Sequence, residues 1–223
     1  MSDITNIAII GGRLDGQSGV ILDVLKSNPR INIACIFDQT PDLKGTELNG
    51  VPVVGDFEKE CQNFRNKFDA LHIAIGDNSA RFHYANLAQD KGIPLYTIIH
   101  EDSVISPSAI IGDGTFIGPG AIIQNNTRIG CASIINSGAI VEHDCILGDA
   151  VHLAPRATLA GRVILGSKVF FGIGSCAIPD IIVGENAFVA AGSTVVKDIG
   201  ENDFVLGVPA KKSHNIYKKN LSD

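Results

Sequence analysis

Hydrophobic positions follow one rule up to about His100 and another from Ile105 onward. In the first stretch short apolar runs alternate with polar segments of helical spacing. NIAIIGG (Asn6–Gly12) predicts a buried strand entering a Gly-rich turn, and Gln17–Asn28 a helix that stops before Pro29. INIACIF (Ile31–Phe37) predicts a second strand ending at Asp38, then a polar loop and a short strand at Val51–Gly55. Asp56 is placed to cap a helix over Asp56–Lys67, ALHIAIG (Ala70–Gly76) is a third main strand, Asn78–Lys91 a helix closed by Gly92, and PLYTII (Pro94–Ile99) a last strand. Such alternation predicts an α/β domain, a small Rossmann-like parallel sheet flanked by helices.

From Ile105 the apolar beat has a period of six. Stepping by six reaches Ile111, Ile117, Ile123, Ile129, Ile135, Val141, Leu147, Leu153, Leu159, Leu165, Phe171, Ala177, Val183, Val189 and Val195, and every step lands on an apolar residue. The next position is often glycine, as at Gly112, Gly118, Gly130, Gly148, Gly166, Gly172 and Gly184. This is the pattern of an all-β repeat, a parallel β-helix in which short strands wrap a prism, one apolar residue per hexad points inward and small residues fit the corners. The expected organisation is a Rossmann-like domain over 1–102, a β-helix over 103–200 and a capping tail over 201–223.

Composition narrows the partners. Apolar residues make up 45% of the 223 and charged residues 19%, an ordinary globular balance. A net charge of -6 argues against holding a phosphate backbone, so no nucleic acid is expected. The one basic cluster, Lys211, Lys212, Lys218 and Lys219, reads as a solvated tail or a weak anion site. The five cysteines (Cys35, Cys61, Cys131, Cys145, Cys176) form no CxxC pair and suggest reduced cytosolic thiols. With no signal-like leader and no apolar run of membrane-spanning length, a cytoplasmic protein without a membrane partner is expected.

The hexads resemble the left-handed β-helix, or hexapeptide-repeat, acyltransferase superfamily. Within it the run INSGAIVEHDCILGDAVHLAPRATLAG, the nucleotide-binding-like first domain and the tail LGVPAKK look like the nucleotide-amino-sugar N-acetyltransferases of bacterial glycan biosynthesis and their sialic acid O-acetyltransferase relatives. The resemblance implies left-handed winding, three hexads to a coil, and a homotrimer whose sites lie between subunits. It implies acetyl-CoA as co-substrate, an acyl acceptor carried on UDP, and no metal. His143 is then the general base on the acceptor amine and Asp144, at a position often held by Glu, the acid that orients it. The chemistry suits these types: an amine attacking a thioester must lose a proton, and a histidine oriented by a carboxylate can take it. His152, Gly161, Ala191 and Gly192 match positions on the acetyl-CoA side. Asn136 matches a sugar-facing position or serves as a corner turn former. Arg156 stands where relatives commonly carry Gly.

Three hexads per coil place His143 and Gly161 one coil apart at one corner, and His152 half a turn away. If both histidines line one site, two subunits build it. In the first domain, GGRLDGQSG (Gly11–Gly19) follows a strand and opens a helix, the context for a phosphate-holding loop or for close packing. Gly11, Gly12, Ser18, Asp38, Gly76 and Asp77 are the substrate-binding candidates, at strand ends on one sheet edge. The leading expectation is acetyl transfer to the 4-amino group of a UDP-linked 4-amino-4,6-dideoxy-N-acetylhexosamine. O-acetylation of a sialic-acid-like sugar or small amino acid stays open, as does a non-catalytic or metal-binding β-helix trimer. Carbonic-anhydrase-like relatives of the fold hold zinc with three histidines, whereas the repeats here contain only His143 and His152.

Overall fold

The computed structural model of the chain describes residues 4–12 and 16–213. Two compact units are present: one runs to Gly76 and resumes over His83–Ile98, and the other comprises Asp77–Phe82 and the chain from Ile99.

In the first unit β1 (Thr5–Ile10) lies between β2 (Ile31–Phe37) and β5 (Ala70–Ile73), parallel to both. β4 (Val51–Gly55) extends the parallel sheet beyond β2, and β3 (Glu47–Leu48) pairs antiparallel at its edge. Ile7 to Ile10 are all buried, as expected for a strand covered on both faces. α1 (Gln17–Lys26) packs through Ile21, Leu22 and Leu25. α2 (Phe57–Phe64) is capped by Asp56, whose carboxylate accepts from the Glu58 N–H at 2.8 Å. Phe37 meets Phe57, Phe64 and Phe68 edge to face at its core.

Two expectations change here. Only Ile98–Ile99 of the segment Pro94–Ile99 is strand. Leu71 in β5 donates to Pro94 O and accepts from Tyr96 N–H, but Pro94 has no N–H with which to carry a ladder further. The loop before Val51 folds into the β3–β4 hairpin, because Asn49 and Gly50, at φ 51° and 78°, form the left-handed pair that a two-residue turn needs.

The second unit is a left-handed β-helix of three sheets. The first face stacks Val104–Ile105, Ile122–Ile123, Ile140–Val141, Thr158–Leu159, Cys176–Ala177 and Thr194–Val195. The second runs from Ile110–Ile111 through Arg128–Ile129, Ile146–Leu147 and Ile164–Leu165 to Ile182–Val183, and the third includes Phe116–Ile117, Ile134–Ile135, His152–Leu153, Phe170–Phe171 and Phe188–Val189. Up to the last coil each strand pairs in parallel with the strand eighteen residues on, as Ile122 with Ile140 and Ile134 with His152. Phe204–Leu206 adds to the third face, and Lys211–Lys212 turns back antiparallel against it.

Each hexad has two inward positions, not the one expected. Besides the strand residues, a column of smaller corner residues is buried: Ala121, Thr127, Ser133, Ala139, Cys145, Val151, Ala157 and Val163. The polar members escaped an apolar search, yet their hydroxyls are satisfied by the backbone, Thr127 Oγ1 donating to Glu142 O and Thr115 Oγ1 to Gly130 O, both at 2.9 Å. The glycines after the strands are needed for closeness between coils: a Cβ on Gly148 would lie 2.5 Å from Ser167 N. Three residues past the inward strand residue the corner is left-handed in the successive coils at Asn126, Asp144, Arg162 and Asp180 along one edge, and on another edge Arg156 adopts φ 58° without glycine.

The first turn of α3 (Asn78–Asp90) reads another edge. Arg81, fully buried, donates to the carbonyls of Ala132 and Ala150 at 2.6 and 2.9 Å and to Asn78 Oδ1 at 2.7 Å. Asn78 Nδ2 in turn donates to Lys168 O at 3.0 Å. Ala132, Ala150 and Lys168 are successive left-handed corners, so these two side chains bind a column of carbonyls one coil apart.

Candidate active site

Strand Ile140–Val141 ends the first face and throws His143 and Asp144 onto the corner leading to the second. The left-handed turn at Asp144, φ 59°, folds its short side chain back toward the preceding residue, so that Oδ2 lies 2.8 Å from His143 Nδ1. The short Asp side chain thus makes the contact directly. The second carboxylate oxygen accepts from Asn126 Nδ2 at 3.1 Å, one coil away. The bond to His143, and then that to Asn126, hold the Asp144 carboxyl below its ordinary range, which keeps it ionised at neutral pH. A carboxylate cannot donate, so Nδ1 carries the proton and Nε2 has the lone pair.

Gly161 lies against the ring. A Cβ there would stand 2.6 Å from both Cε1 and Nε2 of His143. The expected stacking of these residues is seen, with the imidazole lying in the space that a side chain at 161 would take. The next corner residue, Arg162, is held by Asp180 through Nε–Oδ1 at 2.6 Å and Nη2–Oδ2 at 2.8 Å. Cys145 follows Asp144 but points inward, its thiol donating to Ala160 O; burial pushes the thiol up, away from a reactive thiolate.

His152 sits on the third face, opposite the corner that bears His143, so one chain does not bring the two together. Its ring is buried edge-on against Phe170, 5.1 Å between centroids, and Nε2 lies 3.4 Å from Asn136 Nδ2 on the neighbouring coil. Asn136 also accepts from Ser137 N–H at 2.8 Å, so it both shapes its corner and meets His152. Ala191 and Gly192 occupy the corner between third and first faces, exposed, with nothing near the open side of Gly192. The residues matched to acetyl-CoA are therefore divided among corners within one chain.

In the first unit the carboxyl edge of the sheet gathers several candidates. Gly11 follows β1 at φ 108°, packed so that a Cβ would lie 3.0 Å from Ala74 O. Gly12 N–H donates to Asp38 Oδ2 at 2.6 Å, and Thr40 N–H to Oδ1 at 2.8 Å, which ties the end of β2 to the glycine turn. Ser18 is buried and donates to Ala74 O at 2.9 Å. Gly76 is exposed with nothing near its Cβ position. Asp77, next in the chain but in the second unit, caps α3 by accepting from Ala80 N–H at 2.8 Å. Arg13 to Asp15 of the turn, and Lys218 and Lys219, lie outside the described residues. Among the described residues no group of three or more His, Cys, Asp or Glu could hold a metal, and no helix is long and apolar enough to cross a membrane.

Sequence reasoning passed over Asn126, Arg162, Asp180 and Arg81. For the first three the signal was available: they lie eighteen residues before, eighteen after and thirty-six after Asp144.

A left-handed hexapeptide β-helix with a histidine–carboxylate pair on one corner, joined in sequence to a parallel-sheet domain, defines a class of acyltransferase. The family described as the PglD N-terminal domain matches residues 6–87. A perosamine N-acetyltransferase from Caulobacter crescentus, solved with CoA and GDP-perosamine after one histidine was replaced by asparagine, is 37% identical over 94% of this chain and 97% of its own, with a TM-score of 0.87. The acetyltransferase domain of PglB from Neisseria gonorrhoeae, solved also with acetyl coenzyme A, is 30% identical over 94% of this chain and 100% of its own, with a TM-score of 0.84. WeeI from Acinetobacter baumannii is 26% identical over the same shares, TM-score 0.80. No curated protein matches the chain. The chain belongs to the hexapeptide-repeat sugar N-acetyltransferase family, and it is an acetyltransferase.

Proposed function

We propose that the enzyme moves an acetyl group from acetyl-CoA to the 4-amino group of a UDP-linked 4-amino-4,6-dideoxy-N-acetylhexosamine, for glycan biosynthesis, by direct transfer with His143 as general base. The observation that carries this is the 2.8 Å contact of His143 Nδ1 with an ionised Asp144, which leaves Nε2 as the proton acceptor. Acetyl-CoA supplies the activated acyl group. As the amine nitrogen bonds to the thioester carbon, His143 Nε2 takes the amine proton, Asp144 stabilises the imidazolium, and the proton then passes to the departing thiolate. Cys145, inward and bonded to Ala160 O, is not placed to form an acyl-enzyme.

Gly11, Gly12 and Asp38 hold the nucleotide in this reading, with Ser18 and Asp77 shaping the neighbouring backbone and Gly76 leaving space. His152, Asn136, Gly161, Ala191 and Gly192 line the acetyl-CoA and sugar side. Because His152 and His143 occupy opposite parts of one prism, the complete site is built by neighbouring copies in a homotrimer. A GDP-linked sugar is the second reading, favoured by the 37% identity to the enzyme solved with GDP-perosamine.

The test is thiol release from acetyl-CoA with a panel of UDP-, GDP- and dTDP-amino sugars. One nucleotide should stand out, and His143→Ala should lower its kcat/KM by roughly 10²- to 10⁴-fold while Cys145→Ala stays active. Activity surviving in His143→Ala sinks the general base; silence across the panel sinks the acceptor class.

A further inference from the structure

We propose that Asn126 is a positioning residue: it orients the Asp144 carboxylate for His143, and the Arg162–Asp180 pair on the following coils keeps a competing cation off that carboxylate. The inference rests on the reading of His143 as base and extends it to residues that touch no reacting atom.

The geometry is a four-rung ladder down one left-handed edge of the β-helix. Asn126, Asp144, Arg162 and Asp180 repeat at eighteen residues, each with φ between 58° and 64°. Asn126 Nδ2 gives its proton to Asp144 Oδ1 at 3.1 Å, and Oδ2 is thereby turned to His143 Nδ1 at 2.8 Å. The amide orientation is unambiguous, since a carboxylate only accepts. Asp144 is about half exposed and on a short side chain, so without Asn126 its carboxylate can rotate into water and leave His143 to reorient. Arg162 stands on the other side. A guanidinium is the preferred bidentate partner of a carboxylate and would take Oδ2 from the imidazole, but both its Nε and Nη2 are already engaged by Asp180. The ladder thus alternates so that Asp144 meets one neutral donor and one histidine.

The other titratable groups near this corner are Glu142 and Cys145, beside the pair in sequence, and Arg162 with Asp180 across the coil interface. All stay unchanged in the variants below. Asn126→Gly keeps the left-handed backbone and removes the donor. Asn126→Asp keeps the shape and the tolerance for that backbone but sets a second negative charge beside Asp144. The control is Asn186→Gly, the same corner position on another edge, where the asparagine side chain donates to Asn202 Oδ1.

The experiment follows the His143 ring by NMR in histidine-labelled full-length protein across pH 5 to 9, with the signal assigned by its loss in His143→Ala. The titration midpoint should fall in Asn126→Gly, because a loosened carboxylate stabilises the imidazolium less. It should rise in Asn126→Asp, because added negative charge stabilises it more, and it should not move in Asn186→Gly. With the acceptor found by the panel, the acid limb of kcat/KM should shift in the same senses, kcat of Asn126→Gly should fall about 3- to 10-fold, and KM for acetyl-CoA should hold, as for lost transition-state positioning. Midpoints unmoved in both Asn126 variants, or moved in the same direction, overturn the proposal. Survival of activity in His143→Ala overturns the base itself, an outcome the ring titration does not depend on.

Discussion

Two glycines show how a single missing Cβ carries different meanings on the same scaffold. At Gly148 the added atom would strike the backbone of Ser167, which cannot yield without parting the coils. At Gly161 it would strike only the exposed end of the His143 ring, which can swing aside. Gly148→Ala is therefore expected to lower the thermal midpoint by several degrees, whereas Gly161→Ala keeps the midpoint within a degree or two and loses about 10- to 100-fold in kcat, since a catalytic group displaced by an ångström costs on that order. Differential scanning calorimetry beside a turnover assay checks both, and an active Gly161→Ala protein would show that the ring need not rest on this corner.

Among the elements, the first turn of α3, which belongs to the same unit as the β-helix, is tied to its corners through a charged group. Burial pushes Arg81 down to about 9, still charged at neutral pH, and its N–H groups are spent on Ala132 O, Ala150 O and Asn78 Oδ1. In Arg81→Leu those acceptors lose their donor while enclosed, and urea unfolding should show a loss of about 3 kcal/mol. An unchanged midpoint would mean that the corner carbonyls find water instead. Arg81 was invisible in the sequence because its carbonyl partners, Ala132 and Ala150, lie fifty-one and sixty-nine residues away. The strand and helix runs of the first unit and the six-residue beat were legible, since burial on both faces and on one column respectively imposes them. The second inward column was obscured by Thr127 and Ser133, whose polarity is cancelled only by a carbonyl that appears on folding. His143 and Asp144 were legible as neighbours, but the direct bond depends on the left-handed φ of Asp144, and the reach of Asn126 depends on how coils register.

For the molecule as a whole, the proposed reading, in which His143 and His152 of different copies share a site, makes assembly a condition of activity. Sedimentation or light scattering should report three copies, and mixing offers a sharper test. Inactive His143→Ala and His152→Ala proteins, unfolded and reassembled together in equal amounts, should recover about a quarter of wild-type activity if each site joins the His143 of one copy to the His152 of the next. No recovery would mean that each chain relies on its own pair. The equal rise of every coil then has a consequence for reach. Between His143 and Ala191 the chain climbs between two and three coils, roughly 13 Å at about 4.8 Å per coil. Any acyl carrier touching both levels must span that height. One more eighteen-residue repeat spliced in after Gly161 would raise the far contact by a single step and leave both ends intact, so the fold works as a graduated rule on which the length of the donor's arm is set in whole coils.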